Sequence, residues 1–443
     1  MAHIGIFCPP GSGHLNPMGA LGRELQRRGH RVTAFNILDS EPLVRAQELD
    51  FCPVGQVSDP LGSQAAALAR LGQLTGLAAA RFTLEGAVKM TTMLLQSAPT
   101  VLREAGVQAL LVDQVEPAGT TIAQHLDLPF ATVCNALPVN REVGVPPFYT
   151  PWAYRTTERA LLRNRLGYAL AAPLLRPMFG LVAGYRRRWG LPPVRSDDDL
   201  FSPLAQLSQL PCEFDFPRRA LPDCFHYTGP LRTADEVQDI PFPYDRLTGQ
   251  PLIYASMGTL QNRRRDIFRS IAAACIGLDA QLVLSLGGGA HVEDVGDLPG
   301  SPLVVAYAPQ LNLLSRARLT ITHAGLNTVL DSLSHGVPMV AIPITNDQPG
   351  VGARVTWTGA GTVLSLSHLN TARLRTAIRT VLDHDSHRVQ AMRLREAILR
   401  SGGARRSADI VEHIIATGQP LLNGMDIGPR PRRRRGNIYW SIP

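Results

Sequence analysis

Residues 307–348 read YAPQLNLLSRARLTITHAGLNTVLDSLSHGVPMVAIPITNDQ, and they contain two short apolar runs. The runs are RLTIT (318–322) and PMVAIP (338–343), each of a length typical of a strand buried inside a parallel sheet. Between them, a helix is predicted to begin near Leu326, directly after the HAG turn (323–325). A strand, a helix and a second strand in this order predict a βαβ unit.

The same alternation of apolar runs and helix-period segments extends in both directions from this stretch. Further strands are predicted at residues 3–8, 31–35, 108–113, 129–134, 251–256, 280–286 and 303–307. Helices are predicted at residues 17–28, 117–126, 370–383, 386–400 and 404–416. The strands form two groups, one on each side of a polar, turn-rich segment near residue 240.

This grouping predicts the fold class and the domains. The fold class is α/β, with two Rossmann-like, doubly wound parallel-sheet domains that face each other across a cleft. The first domain is expected at residues 1–235, a linker at 236–250 and the second domain at 251–420. The remaining residues, 421–443, are rich in Gly, Pro and Arg and are expected to form a basic, disordered tail with no dedicated role.

Composition excludes several classes of protein. The chain has 443 residues, 45% of them hydrophobic, which is enough apolar material for packed cores. Of its net charge of +8, half lies in the last twenty residues, so the body is only mildly basic and a nucleic-acid partner is not expected. The six cysteines form no C-x-x-C pair, which favours a reducing cytoplasm. Neither a signal peptide nor a run of about 20 apolar residues is evident, so no membrane span is expected.

A glycine-rich loop, PPGSGHLNP (9–17), follows the first predicted strand. Gly11 and Gly13 are expected to allow a tight turn and the close approach of a ligand. Asn16 is expected to cap the following helix, and Pro17 to occupy its first position. A dinucleotide site is weakly supported, because Asn16 replaces the third glycine of that motif and the second strand ends without an acidic residue. A Walker A loop is excluded by the lack of a lysine.

His14 lies at the end of this loop and is the candidate general base. A neutral imidazole can accept a proton near neutral pH, and a carboxylate on its other nitrogen improves it as a base. Asp113 ends the strand at 108–113, and it should therefore lie at the same sheet edge as His14. The alternative is structural: His14 hydrogen-bonds its own loop, and Asp113 caps the next helix.

The turn at 323–325 is the second candidate site. The helix that follows Gly325 offers free N–H groups and the positive end of its dipole, and His323, Asn327 and Thr328 lie beside it, so it can hold a diphosphate. Asp331, one helical turn beyond, is placed to reach a ribose hydroxyl. After the next strand, Asp347 and Gln348 suit paired sugar hydroxyls. The alternative is an ordinary βαβ unit with incidental polar residues.

Together these residues resemble the donor-binding signature of UDP-dependent glycosyltransferases of the GT-B fold. The signature runs from an aromatic-x-P-Q motif through T-H-x-G-x-N-[ST], an acid and G-V-P to D-Q. This chain departs from it twice, because Tyr307 replaces the usual Trp and Asp331 the usual Glu. The resemblance covers most of the chain, and residues 134–152 and 323–351 resemble bacterial zeaxanthin (carotenoid) glucosyltransferases.

The resemblance implies a role for each matched residue. In the N-terminal, acceptor-binding domain, His14 would be the base and Asp113 its partner. In the donor-binding domain, Tyr307 would stack on the uracil and Gln310 would contact the base or the ribose. The groups on the phosphates would be Ser256 and His323, and those on the hexose Asp347 and Gln348.

The resemblance also implies an inverting transfer of a hexose from a UDP-sugar, used as co-substrate, to a hydrophobic small-molecule acceptor. No cofactor and no metal are expected, and the D-x-D motif at 197–199 is interpreted as an acidic turn or a helix cap. The favoured acceptor is a carotenoid. Alternatives are a polyketide acceptor with a UDP- or dTDP-sugar, a nucleotide-sugar epimerase on the same fold, and a binding protein without activity.

The Leu- and Arg-rich segment at 159–188 leaves two interpretations open. It suits a peripheral contact with anionic lipid at the inner face of the membrane, where a dissolved acceptor could be collected. Gly167, Pro173, Pro177 and Gly180, however, are expected to break it into short helices, which favours a lid over the acceptor pocket.

Overall fold

The computed structural model describes residues 1–71, 74, 76–232, 240–259, 264–288 and 292–425. Its first sheet has seven parallel strands in the order β3-β2-β1-β4-β5-β6-β7. These strands are β1 (His3–Phe7), β2 (Arg31–Asn36), β3 (Asp50–Pro53), β4 (Ala109–Asp113), β5 (Phe130–Cys134), β6 (Gln206–Ser208) and β7 (Phe225–Tyr227). The helices of this part are α1 (Ser12–Arg27), α2 (Glu41–Ala46), α3 (Ser63–Leu71), α4 (Gly76–Ala105), α5 (Pro117–His125) and α6 (Glu158–Arg188).

The second sheet has six parallel strands in the order β10-β9-β8-β11-β12-β13. They are β8 (Leu252–Ser256), β9 (Gln281–Ser285), β10 (Leu303–Val305), β11 (Ala317–Thr322), β12 (Met339–Ala341) and β13 (Gly361–Val363). The helices are α7 (Arg265–Cys275), α8 (Val292–Val295), α9 (Gln310–Leu314), α10 (Leu326–Ser334), α11 (Gln348–Thr358), α12 (Thr371–Asp383), α13 (Asp385–Ser401) and α14 (Gly403–Thr417). The predicted fold class, two doubly wound parallel-sheet domains, is confirmed.

The strand order reverses direction once in each sheet, at a point called the topological switch point. In the first sheet β1 lies between β2 and β4, and in the second β8 lies between β9 and β11. Helices that follow neighbouring strands on the two sides of such a point cover opposite faces of the sheet, and this leaves a crevice at the carboxyl ends of the strands. The crevices lie after β1 and β4 in the first domain, and after β8 and β11 in the second.

Apolar side chains pack on both faces of each sheet. Ile4 and Ile6 point into the core under α1, whereas Phe7 packs on the opposite face beneath α4 and α5, as the alternation of side chains along a strand requires. One core cluster contains residues of both domains, because Leu137 and Phe214 of the first pack against α10 and α11 of the second. The domains therefore share apolar surface.

The first helix begins earlier than predicted. It starts at Ser12 with Gly11 as its N-cap, and Pro17 lies inside it, so Asn16 is not the cap. Neither Gly11 nor Gly13 has a positive φ, and no atom lies within 4 Å of a Cβ added at either position. The glycines therefore leave open space for a ligand at the helix N-terminus, and the tight turn that we expected does not form.

The last helix returns to the first domain. Within the predicted second domain (251–420), α14 packs on the first sheet, where Ala408, Ile410 and Ile414 complete the core. Arg28 of the first domain contacts Asp409 at 2.6 Å and Glu412 at 2.8 Å. This assigns α14 to the first domain, because its apolar face fills that core.

The predicted tail and linker are only partly described. Residues 421–425 of the tail are described, and Leu421 is buried in the first core, where its N–H donates to the Leu204 carbonyl. They are therefore ordered by contact with the first domain. The arginine-rich remainder, 426–443, lies outside the described residues. In the linker, residues 236–239 lie outside them too, and residues 240–250 contain one 3-10 turn, Tyr244–Arg246.

Helix α6 is a single helix of 31 residues, and the expected breaks at its glycines and prolines do not occur. Gly167 serves packing instead, since an added Cβ would lie 2.7 Å from the Trp152 ring. Pro173 and Pro177 lie on an exposed face, where water can satisfy the carbonyls that they leave unpaired. In the described part of the chain α6 alone is long and apolar enough to cross a membrane, with a window of mean hydropathy 1.4 that is 11% buried.

Candidate active site

The first switch point holds a histidine–aspartate pair. The Nδ1 of His14 lies 2.7 Å from the Oδ2 of Asp113, a carboxylate with a fully buried side chain. The His14 side chain is 27% exposed, so its other nitrogen remains within reach of a substrate. The two residues come together because β1 and β4 are neighbours and both end at this edge. The pairing predicted from the strand ends is confirmed.

Two further groups hold the Asp113 carboxylate. The Asn135 Nδ2 donates to Oδ2 at 2.7 Å, and the Val115 N–H donates to Oδ1 at 3.1 Å. Asn135 directly follows β5, so the same sheet edge supplies it. Sequence reasoning missed this asparagine, although its place just after a predicted strand was a usable signal. The pair is thus fixed in one orientation before substrate binds.

The charges around the pair raise the pKa of the His14 imidazole. Burial alone would lower the pKa of His14, but the charge of Asp113 and its hydrogen bond outweigh burial and raise it. Asp347 of the second domain raises the pKa of His14 further. The Asp347 Oδ2 also lies 3.5 Å from the Leu137 nitrogen of the first domain, so the two predicted sites face the same cleft.

The second switch point is built around the half-buried imidazole of His323. Burial lowers the pKa of His323 to about 4, so the ring is neutral at physiological pH. Glycines flank the ring, since a Cβ at Gly258 or Gly325 would lie within 2.6 Å of it. Its Nδ1 is buried and has no hydrogen-bond partner among the described residues. A buried nitrogen of this kind needs a partner such as water or a ligand, and the Ser256 backbone, at the end of β8, lies beside the ring.

Two residues in the donor turns have a left-handed backbone. Ala324 has φ +66° between His323 and the first turn of α10, and Asn346 has φ +55° immediately before Asp347. Non-glycine residues seldom adopt this conformation, and such strain concentrates at binding sites. Both turns aim polar groups towards the crevice of the second sheet.

Asn327 joins the two halves of the cleft. Its Nδ2 donates to the Gly13 carbonyl at 2.9 Å, and its Oδ1 lies 3.4 Å from the Gln209 Nε2. The same Gln209 amide lies 3.3 Å from the Asn135 carbonyl. The beginning of α10 is therefore linked to the loop before His14 and to the residue that holds Asp113. Sequence reasoning missed Gln209, which has no motif around it.

Asp331 is not a free carboxylate. Arg232 binds it through two nitrogens, at 2.9 and 3.0 Å, and the Gln310 Nε2 donates to it at 2.7 Å. The Tyr254 hydroxyl then donates to the Gln310 Oε1 at 3.2 Å. The predicted ribose acid therefore sits in a network, and Arg232 is a member that sequence reasoning missed.

The remaining predicted donor residues lie around the same crevice. Tyr307 is 43% exposed and borders Gly288, as a stacking platform for a base requires. Thr328 is 9% exposed in the first turn of α10. The Gln348 Oε1 accepts from the N–H groups of Ile344 and Thr345, which leaves its amide nitrogen to face a ligand.

Asp347 lies directly across from the first domain. Its Oδ2 is 3.5 Å from the Leu137 N–H. Burial raises the pKa of Asp347, and the nearby positive potential of His14 opposes that rise. A carboxylate between the base and the donor turn is suitably placed for the hydroxyls of a bound sugar.

The halves are also joined by a buried ion pair beside the site. The Arg354 guanidinium on α11 contacts the Asp215 Oδ1 at 2.6 Å, and both side chains are at most 2% exposed. Arg354 also lies over the Phe216 ring, 4.3 Å from its centroid. Gly350, on the same helix, faces the backbone of Phe148, because an added Cβ would lie 2.0 Å from that carbonyl oxygen.

The D-x-D motif has a structural role. Asp199 completes a capping box with Ser196, Asp197 pairs with Arg141 at 2.5 Å, and Asp198 accepts from Asn140. The interpretation as a helix cap is confirmed. Within the described ranges, no group of three or more His, Cys, Asp or Glu residues is arranged to hold a metal ion.

Comparison with known proteins agrees with this arrangement. The family described as "UDP-glucoronosyl and UDP-glucosyl transferase" matches residues 90–398. The zeaxanthin glucosyltransferase of Pantoea ananas is 36% identical, over 96% of this chain and 98% of its own. That of Pseudescherichia vulneris is 35% identical, over 95% and 100%. The crystal structure of CalG4, the calicheamicin glycosyltransferase, superposes with a TM-score of 0.73 at 22% identity, over 95% of this chain and 100% of that one.

Two Rossmann-like domains that face each other, with a histidine–aspartate pair on one side and the turn at 323–325 on the other, define a glycosyltransferase of the GT-B fold. The chain belongs to the UDP-glucuronosyl and UDP-glucosyl transferase family, since the family model covers most of it and two relatives exceed 30% identity. It is an enzyme of the transferase class.

Proposed function

We propose that this enzyme transfers glucose from UDP-glucose to a hydroxyl of a lipophilic acceptor, a carotenoid such as zeaxanthin, with inversion at the anomeric carbon. One observation carries the catalytic part of this proposal. The base candidate His14, held by Asp113 at 2.7 Å, lies in the same helix turn as the Gly13 carbonyl that bonds Asn327 of the donor helix. These contacts support a cleft in which the proposed proton acceptor faces the proposed diphosphate site.

In the proposed step the acceptor oxygen attacks the anomeric carbon while His14 takes its proton. The bond from that carbon to the diphosphate oxygen breaks, and UDP leaves. Because attack and departure occur on opposite sides of the carbon, one displacement inverts the configuration. Proton transfer of this kind contributes about 10²–10⁴-fold to the rate. Asp113 keeps the imidazole in one orientation and stabilises the imidazolium that forms.

The second domain stabilises the leaving group. Negative charge develops on the diphosphate as the bond breaks, and the free N–H groups in the first turn of α10 face that charge. The neutral ring of His323 and the Ser256 hydroxyl add hydrogen bonds from fixed positions. Because these groups are ordered before the reaction, little reorganisation is needed in the transition state.

The choice of donor rests on the family and on the residues around the crevice. Tyr307 would stack on the uracil, with the Gln310–Asp331–Arg232 network beside the ribose. Asp347 and the Gln348 amide would hold the hexose hydroxyls. The choice of acceptor rests on the two relatives named as zeaxanthin glucosyltransferases, at 36% and 35% identity.

The assay incubates the purified protein with UDP-glucose, UDP-galactose or a dTDP-sugar and a detergent-dispersed carotenoid or polyketide, and detects products by mass spectrometry. We expect a glucosylated carotenoid from UDP-glucose. UDP-glucose alone should give no new UDP-sugar, since an epimerase would make one without acceptor. A product only with polyketides or dTDP-sugars would overturn the proposed substrates and leave the reaction class intact.

His14→Ala tests the mechanism. We expect a loss of at least about 10²-fold in turnover with UDP affinity nearly unchanged, because the variant keeps the donor turn. The matched control is His368→Ala, which removes an exposed imidazole of the second domain and should keep wild-type activity. Full activity of His14→Ala would remove this residue from the mechanism.

We also propose that the reaction needs no metal and takes place in the cytoplasm. The helix dipole, His323 and Ser256 are sufficient to meet the charge of the diphosphate. Turnover measured with and without EDTA should therefore agree. A strict requirement for Mg²⁺ or Mn²⁺ would contradict this part of the proposal.

A further inference from the structure

Helix α6 is apolar on two opposite faces, and only one of them is covered. The covered face is buried against the first domain and includes Ala160, Gly167, Met178 and Val182. Hydrogen bonds fix it there, since the Asn164 amide donates to the Val143 carbonyl at 2.9 Å. This face is therefore held by protein, although the helix has a length and composition that would allow it to cross a bilayer.

The opposite face is an exposed apolar ridge, formed by Leu162, Leu166, Leu170 and Leu174 with Pro173 and Pro177. The four leucines recur every four residues and are 57%, 54%, 78% and 38% exposed. A helix of a soluble domain ordinarily turns polar residues to this side. The ridge therefore has the character of a surface that is covered in use.

Charge indicates what covers it. Helix α6 contains seven arginines and one acidic residue, a net charge of +6. Arg159, Arg165 and Arg176 are exposed, and by helical periodicity Arg165 and Arg176 lie along one edge of the ridge, with Arg159 at its N-terminal end. Leucines bordered by arginines match an interfacial helix, whose apolar face enters the lipid while its cations contact anionic headgroups.

The ridge is coupled to the cleft through one loop. Residues 135–157 run from the end of β5 to the beginning of α6. At one end of this loop Asn135 holds Asp113, and the Leu137 N–H meets Asp347. At the other end the Tyr149 hydroxyl donates to the Gly167 carbonyl of α6 at 2.9 Å. The loop at 135–157 thus connects α6, which carries the ridge, to the residues of the cleft.

We propose that the exposed face of α6 docks the enzyme on an anionic membrane surface, with the helix lying in the plane of the headgroups. Docking brings the loop at 135–157, which contacts both α6 and the cleft, close to the lipid phase, where a hydrophobic acceptor is dissolved. The link to the acceptor rests on the proposed function, whereas the docking itself does not, so the two can fail separately.

Flotation of the purified full-length protein with vesicles tests docking without any substrate. We expect co-flotation with vesicles of phosphatidylcholine and phosphatidylglycerol, weaker flotation with phosphatidylcholine alone, and release at high salt as screening increases. Leu166→Glu/Leu170→Glu should bind at least about tenfold less, because charge replaces the apolar ridge. Arg165→Gln/Arg176→Gln should lose the preference for the anionic lipid. Equal flotation of the wild type and the leucine variant would overturn the proposal.

The matched control is Leu399→Glu, at a leucine of α13 that is 67% exposed, and it should float like the wild type. A second control replaces Arg432–Arg435 with glutamine, because a basic tail could bind lipid by itself. If that change alone abolishes flotation, the ridge is not the docking surface. The other possible occupant is a second copy of the chain. Sedimentation showing a dimer that Leu166→Glu/Leu170→Glu dissociates, without vesicle binding, would also overturn the proposal.

Activity separates docking from catalysis. With a water-soluble acceptor, Leu166→Glu/Leu170→Glu should keep wild-type turnover, because neither leucine touches the cleft. With a carotenoid carried in anionic vesicles, its turnover should fall at least about tenfold, in line with its binding. Equal turnover of the two proteins on vesicle-borne carotenoid would show that docking does not serve the acceptor.

Discussion

The Asn327 amide donates to the Gly13 carbonyl at 2.9 Å, and this carbonyl is the one that Pro17 cannot engage. In a regular helix the N–H of residue 17 would bond the carbonyl of residue 13, but proline has no N–H. Pro17 lies inside α1, so the free carbonyl is available to the other domain. Pro17 thus leaves one carbonyl of α1 without its helical partner, and that carbonyl accepts the hydrogen bond that joins α1 to α10.

We predict that Asn327→Ala weakens the binding of UDP and slows transfer. The variant loses the bond to Gly13, and because water can reach this exposed carbonyl, the cost is that of an ordinary hydrogen bond, about 0.5–1.5 kcal/mol, or about 2- to 13-fold. Calorimetric titration with UDP and steady-state kinetics measure the two effects. Asn370→Ala, which removes the cap of α12, should lower stability without affecting UDP affinity. Unchanged kinetics in Asn327→Ala would show that the contact between the domains is dispensable.

We predict that Asp113→Asn shifts the acid limb of the pH–rate profile to lower pH. The Asp113 charge raises the pKa of His14, so its removal leaves burial, which lowers that pKa. Since only neutral His14 can accept a proton, activity should persist to lower pH, while the maximal rate falls about 10²–10⁴-fold. Asp266→Asn on α7 should leave the profile in place. If the limb of Asp113→Asn does not move, His14 is not the group that titrates there.

We predict that Arg354→Leu destabilises the protein by up to about 3–5 kcal/mol, because the buried Asp215 carboxylate loses its closest cation. The carboxylate keeps the Tyr227 hydroxyl at 2.9 Å and Arg218 at 3.7 Å. Burial would raise the pKa of Asp215, but Arg354 and Arg218 outweigh it and lower the pKa below 3.8. The stabilisation by this pair is therefore present at neutral pH and is lost only as the pH falls below about 4. Urea unfolding midpoints at several pH values measure it.

The structure provides a matched control for this variant. Arg400 pairs with Glu213 at 3.1 Å, also between the two domains, but both side chains are more than half exposed. Arg400→Leu should therefore cost about 1 kcal/mol or less. Comparable losses from both arginines would show that burial does not distinguish the two ion pairs.

We predict that Gly350→Ala separates α11 from the first domain. Its Cβ would lie 2.0 Å from the Phe148 carbonyl oxygen and 3.0 Å from a Leu137 methyl group, so one backbone must move. Asp347 and Gln348 begin the same helix, and we expect transfer to fall at least about tenfold because their positions shift. Gly86→Ala meets nothing within 4 Å and should raise the midpoint of thermal unfolding slightly. Wild-type activity in Gly350→Ala would contradict the close contact.

The local sequence predicts the parts of the site that strands position. His14 and Asp113 follow neighbouring strands, and the turn before α10 has its own motif, so their meeting could be inferred from strand ends alone. Asn135 directly follows a predicted strand and could have been inferred in the same way. Gln209 and Arg232 could not, because each acts through a contact with a residue of the other domain.

Helix boundaries were the second source of error, and proline explains them. Pro17, Pro173 and Pro177 were expected to begin or break helices, because each removes a backbone donor. A helix tolerates a proline where another group or water can hydrogen-bond to the carbonyl that the proline leaves unpaired. Whether such a partner is present depends on tertiary structure. The return of α14 to the first domain also depends on tertiary structure. Its amphipathic pattern predicts that one face is buried, but the pattern does not show which of the two sheets covers that face.

The position of α14 determines when the first domain can complete its folding during synthesis. The buried residues of α14, together with Leu421, complete a core whose other members lie between Ile4 and Leu231. While the ribosome is still translating the second half, α14 is absent, and the apolar residues that it covers remain in contact with water. The amino-terminal domain therefore finishes folding only after nearly the whole chain has emerged, and a protein truncated before α14 should be recognised by chaperones as incomplete.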